Sequence, residues 1–189
     1  MAARPWPDTT GFRLTAGVSP ELLFDVSLVI TVGAVLGSGV VAGVFFAFSS
    51  FVMRGLSALP ADAGVAAMRA INAAALRPAF LSVFVGTAVV SPVPFVLSLV
   101  GGHDSAGLLA AGCVLYLAGT VGITRIAHLP RNWALDNVPD GESAQRLWAR
   151  YLREWTRWNH VRACAAAASS TVFTAAIVSM MSTVSTGIP

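Results

Sequence analysis

Four apolar stretches constrain this chain more than any other feature. They are VSLVITVGAVLGSGVVAGVFFAFSSFVM from Val26 to Met53, PAFLSVFVGTAVVSPVPFVLSLV from Pro78 to Val100, AGLLAAGCVLYLAGTVGIT from Ala106 to Thr124, and VRACAAAASSTVFTAAIVSMMS from Val161 to Ser182. A helix needs about 20 apolar residues to cross the hydrocarbon of a bilayer, and each stretch reaches or nearly reaches that length. Backbone groups in lipid have no water to bond, so the stretches are expected as helices that satisfy themselves. Charged residues make up only 11% of the 189, against roughly 25% in a soluble domain. The expected fold class is all-α, a four-helix transmembrane bundle over residues 22–189. A Pro/Thr/Gly-rich tail, 1–21, precedes it, without the apolar core or cleavage site of a signal peptide.

The arginines set an orientation. Every basic residue is arginine. Arg54, Arg69 and Arg77 follow the first stretch; Arg125, Arg131, Arg146, Arg150, Arg153 and Arg157 follow the third, with Arg162 opening the fourth. The other side has only Arg4 and Arg13, in the tail. The positive-inside rule then puts both large loops in the cytoplasm and both termini outside, in what is expected to be the plasma membrane. A net charge of +3 without a basic, aromatic-interleaved patch outside residues 148–162 excludes nucleic acid as a partner. Cys113 and Cys164 lie within apolar stretches and form no disulfide framework. Gly33-x-x-x-Gly37 and Gly39-x-x-x-Gly43 allow close helix approach, within the chain or in a homo-oligomer. Pro92 and Pro94 are expected to kink or break the second helix.

Against this apolar background stands WARYLREWTRWNHVR, Trp148 to Arg162. At roughly 100° per residue, Trp148, Leu152, Trp155 and Asn159 share one face, with Tyr151, Trp158 and Arg162 flanking them. Arg146, Arg150, Arg153 and Arg157 take the opposite face. The pattern predicts a cytoplasmic amphipathic helix continuous with the fourth span, which by itself could be an interfacial anchor. His160 falls toward the edge of the aromatic face. Arg69 and Asn72 before the second span, and Arg125, His128 and Asn132 after the third, reach the same membrane side. Polar residues gathered there mark a site or pathway, with helix capping and snorkelling as the competing roles. His160 and Cys164, four apart, with His128 nearby, have ligand-competent spacing, but no carboxylate accompanies them and no metal site is assigned. His103 and Asp104 fall on the far side of the membrane.

The strings FFAFSSFVMRGLSALPADAGVAAMRAINAAALRPAFLSVFVGTA, HLPRN and WTRWNHVRA resemble the anthrone oxygenase-like (DUF1772) family of small membrane proteins, from about Gly43 to Ala168. The resemblance implies four membrane helices and, as in characterised members, cofactor-independent oxygenation of polyketide anthrones to anthraquinones. One departure stands out: the family usually reads Asn-Val-Pro-Leu-Asn where this chain has His128-Leu129-Pro130-Arg131-Asn132.

Such chemistry needs a base, donors for a developing oxyanion and a dry aromatic slot. His160 is the first candidate base, because imidazole titrates near neutrality, and His128 is the next. Arg162, Asn159, Asn132 and Asn72 are candidate oxyanion donors. Trp155, Trp158 and Phe48 are candidate walls of the slot, and Arg69 a further substrate contact. The expected function is oxygenation of an anthrone-like or other phenolic substrate without a cofactor, with lipid, a small aromatic molecule and dioxygen as partners. A non-catalytic membrane scaffold or a small-molecule carrier is the alternative.

Overall fold

The computed structural model describes residues 19–101, 105–139 and 141–186. Residues 1–18 of the expected N-terminal tail, His103 and Asp104 lie outside the described residues. Among those residues the chain is helical throughout, and four helical rods are long and apolar enough to cross a membrane: Glu21–Ser57, Pro78–Gly101, Ala106–Asn137 and Glu142–Thr183.

The first rod comprises α1 (Pro20–Ala47), a π turn (Phe48–Val52) and α2 (Met53–Ser57). It starts two residues before the expected domain boundary because Ser19 caps it, the Ser19 hydroxyl accepting the Leu22 amide at 3.2 Å. A short helix, α3 (Ala61–Ala75), leads to the second rod, which the proline pair divides into α4 (Pro78–Val90) and α5 (Val93–Gly101). The third rod runs past the end expected at Thr124. It holds α6 (Ala106–Val114), π segments over Leu115–Gly122 and Thr124–His128, and α7 (Leu129–Asn137). The fourth is a single helix, α8 (Glu142–Thr186), of 45 residues. At 1.5 Å per residue it is about 68 Å long, more than twice the hydrocarbon thickness of a bilayer. The amphipathic stretch and the fourth span are therefore one element.

Successive rods run antiparallel. Gly37 on the first faces Thr87 on the second, and Phe45 meets Phe80 and Phe84 edge-on. On the second and third, the Tyr116 hydroxyl donates to the Phe84 carbonyl at 3.0 Å. The fourth rod closes the ring. Ser170 donates to the Val35 carbonyl at 3.0 Å and Ser169 to the Gly112 carbonyl at 2.8 Å.

Small residues set the spacing. A Cβ at Gly112 would sit 2.8 Å from the Phe173 ring, and one at Gly119 2.5 Å from the Ala165 side chain. The alanine run after Arg162 is thus the groove into which the third rod presses. Of the two glycine pairs read from sequence, a Cβ added at Gly37 or Gly39 would meet Thr87 or Ser170, whereas one at Gly33 or Gly43 would meet nothing within 4 Å.

Beyond the spans, α3 lies across the arginine-rich end. It buries Val65 and Met68 against Leu135, Trp148, Tyr151 and Trp155. Gly64 allows this docking, because a methyl there would lie 2.8 Å from the Trp148 ring.

Candidate functional site

The aromatic face of α8 is buried at this end. Trp148, Tyr151 and Trp155 stack in sequence, with ring centroids 5.6 and 6.2 Å apart, and Phe48 from the first π turn closes on Trp155 at 5.5 Å. The polar atoms of Tyr151 and Trp155 share one partner on another rod. Asn132 on α7 accepts the Tyr151 hydroxyl at 2.8 Å and the Trp155 indole N–H at 3.2 Å through the same Oδ1. Asn72 on α3 lies beside the Tyr151 hydroxyl.

One turn further along α8, Asn159 is fully buried. Its amide donates to the Phe45 carbonyl at 2.7 Å and to the Ser49 hydroxyl at 2.8 Å. Phe45 lies in the last turn of α1 and Ser49 in the π turn that follows it. Held this way, Asn159 turns its Oδ1 toward Arg162, whose Nε donates to it at 3.0 Å. Arg162 Nη1 reaches Thr124 Oγ1 at 3.1 Å. The guanidinium lies 3.9 Å from the centre of the Phe45 ring and 5.1 Å from that of Trp155. A buried cation is thus held by two hydrogen bonds and two aromatic faces.

His128 stands on the other flank of Trp155. It is 1% exposed and meets the indole edge-on at 4.9 Å. Neither ring nitrogen makes a hydrogen bond of regular geometry, although the Ile123 and Trp155 backbones lie close to the ring, and the Asn72 amide nitrogen, beside the Tyr151 hydroxyl, makes none either. Buried polar atoms are nearly always paired, so unpaired ones clustered beside a guanidinium call for an explanation such as a catalytic role.

The sequence-derived candidates thus separate into two groups. His128, Asn132, Asn72, Trp155, Phe48, Asn159 and Arg162 come together in one buried cluster. His160 does not join them; it is exposed and lines an open groove of 530 Å³ with Ser49, Arg54, Arg153 and Arg157. Helical geometry gives the reason, since His160 is about 100° from Asn159 and about 160° from Arg162 around the axis. Cys164 follows His160 onto that exposed side, away from His128. Trp158 is half-buried at the flank. Arg69 binds the Leu135 carbonyl at 3.0 Å and the Val138 carbonyl at 2.8 Å, clamping the end of α7 as a cation at a helix C-terminus.

Tyr151, Thr124, Ser49 and Phe45 belong to the cluster without having been candidates. The position of Tyr151 beside Arg162 on the helical wheel was the available signal for it.

Four lipid-length rods enclosing a histidine, three asparagines and an arginine among stacked rings define an integral membrane protein with a buried, polar, aromatic site near one end of its bundle. The family follows from the sequence itself. The chain belongs to the anthrone oxygenase family, whose model matches residues 68–172, from α3 through most of α8. No curated protein and no solved structure matches the chain. The matched region contains Asn72, His128, Asn132, Tyr151, Trp155, Asn159 and Arg162, while Phe45, Phe48 and Ser49 lie outside it.

Proposed function

We propose that this protein is an oxygenase of an anthrone-like phenolic substrate, with the buried cluster as its reaction site and His128 as its base. The observation carrying this reading is buried His128, whose ring nitrogens make no hydrogen bond of regular geometry, set against Trp155 with Arg162 on the same indole. Membership of the anthrone oxygenase family supplies the reaction class.

The activated methylene of an anthrone gives one proton to a free nitrogen of neutral His128. The negative charge moves to the ring-carbonyl oxygen, where Arg162 and the Asn72 amide are the nearest donors of the cluster. The carbanion passes one electron to dioxygen, and the two radicals combine to a peroxide. Loss of the remaining C–H proton with cleavage of the O–O bond yields the ketone and water. One dioxygen is used per methylene, with one atom in the product and the other in water. The electrons come from the substrate, so this reading requires no cofactor. Trp155, Phe48 and Phe45 offer flat apolar walls, and exclusion of water protects the carbanion from reprotonation.

His160, the first candidate from sequence, is set aside because its side chain faces the groove. The test is dioxygen consumption by metal-stripped protein with a panel of anthrones and related phenols. Turnover that survives chelation is expected; turnover lost on chelation and restored by copper or iron would replace this mechanism with a metal-dependent one.

A further inference from the structure

The exposed half of the Trp-Asn-His-Val-Arg string takes no part in the buried cluster, yet it lines a groove of its own. Between α2 and α8, Arg54 on one wall faces Arg153, Arg157 and His160 on the other, with Ser50 and Ser57 beside them. The groove has no carboxylate in its lining. The nearest acid in sequence, Glu154, is turned away and paired with Arg131 at 3.0 Å. Among the described residues, Arg54, Arg153 and Arg157 have neither an ion pair nor a side-chain hydrogen bond, unlike Arg69, Arg131, Arg146 and Arg162. Three like charges held around one depression repel one another unless an anion lies between them.

Where the groove sits identifies that anion. Immediately toward the spans the outer surface is apolar, with Phe46, Phe51 and Val161 exposed by 66%, 63% and 44%. Toward the end of the bundle it becomes arginine-rich. That transition is the depth at which lipid phosphates meet a membrane protein. We propose that the groove seats the phosphodiester of a net-negative phospholipid, bridged by Arg54, Arg153, Arg157 and His160, with its acyl chains along Phe46, Phe51 and Val161. A headgroup carrying choline or ethanolamine would bring its own cation against the unpaired guanidiniums, which selects against zwitterionic lipids. Ser49 ties this site to the interior. It lines the groove, and its oxygen accepts the Asn159 amide while its own hydroxyl hydrogen stays available.

The test reads lipid retention and is independent of turnover. The full chain in neutral detergent is titrated with phosphatidylglycerol and, separately, with phosphatidylcholine, and bound lipids are counted by native mass spectrometry. Phosphatidylglycerol should be held about tenfold more tightly. The variant carrying Arg54→Gln, Arg153→Gln and Arg157→Gln should lose that preference by about tenfold or more. A variant with the same charge loss elsewhere, Arg77→Gln, Arg125→Gln and Arg150→Gln, should keep it. All six side chains are exposed, and unchanged tryptophan emission checks that both variants fold. Equal retention of the two lipids, or equal loss in both variants, would overturn the site. Displacement of phosphatidylglycerol by inorganic phosphate at the same concentration would assign the groove to a soluble phosphoryl group instead.

Discussion

Arg162 is a guanidinium only 7% exposed where α8 enters the apolar bundle. Its planar fork is used twice, by Asn159 and Thr124, and its faces by Phe45 and Trp155. Lysine would keep the charge but lose both the fork and the stacking. Arg162→Lys is therefore expected to lower anthrone turnover at least about tenfold while leaving helical content unchanged, measured as rate per folded molecule. Retention of the full rate would show that charge alone suffices there. Much of this was legible in the sequence, because 100° per residue puts Trp155, Asn159 and Arg162 on one face and takes His160 off it. The partners were not. Asn159 bonds to Phe45 and Ser49 more than a hundred positions away, and no local spacing encodes that. The single acceptor that Asn132 offers to Tyr151 and Trp155 likewise becomes visible only in three dimensions.

At the scale of elements, the π turns explain both where the sequence reading stopped early and how the cluster is assembled. Hydrophobic periodicity assumes one constant angle per residue, so an inserted residue shifts the phase and the pattern reads as an ended helix. The third rod shows this, continuing through Thr124–His128 into α7 and carrying His128 and Asn132 inward. In the first rod, the turn at Phe48–Val52 aims Phe48 at Trp155 and Ser49 at Asn159. Deleting Ser50 should restore a regular α-helix there and rotate the residues on either side of it by roughly 100° relative to one another. Helical circular dichroism should be retained and turnover should fall at least about tenfold. Wild-type turnover in the deletion variant would mean that the turn has no part in positioning the site. The proline break between α4 and α5 was read correctly for the opposite reason, since the chemistry of proline is local.

For the molecule as a whole, lipid thickness makes the four rods legible, because any apolar run of that length has few folded alternatives. Their arrangement in an antiparallel ring depends on Gly112, Gly119 and the facing alanines, a code of small residues that composition does not distinguish from ordinary helix content. From the arginine asymmetry we propose that the end bearing α3 and the cluster faces the cytoplasm. Reporter fusions within 58–77 and at 138–142 should report a cytoplasmic location, and a fusion at the C-terminus an external one. A cytoplasmic C-terminus would invert the bundle and put the cluster on the other side. The reaction assigned to that cluster is tested most directly by one comparison, the rate of dioxygen consumption with an anthrone substrate for the wild type, His128→Asn and Arg150→Ala, each per folded molecule. His128→Asn removes the base while keeping a polar side chain of similar size, and should remain folded while losing about 10²–10⁴-fold in rate. Arg150→Ala, exposed and outside both the cluster and the groove, should match the wild type. A wild-type rate in His128→Asn would contradict this assignment.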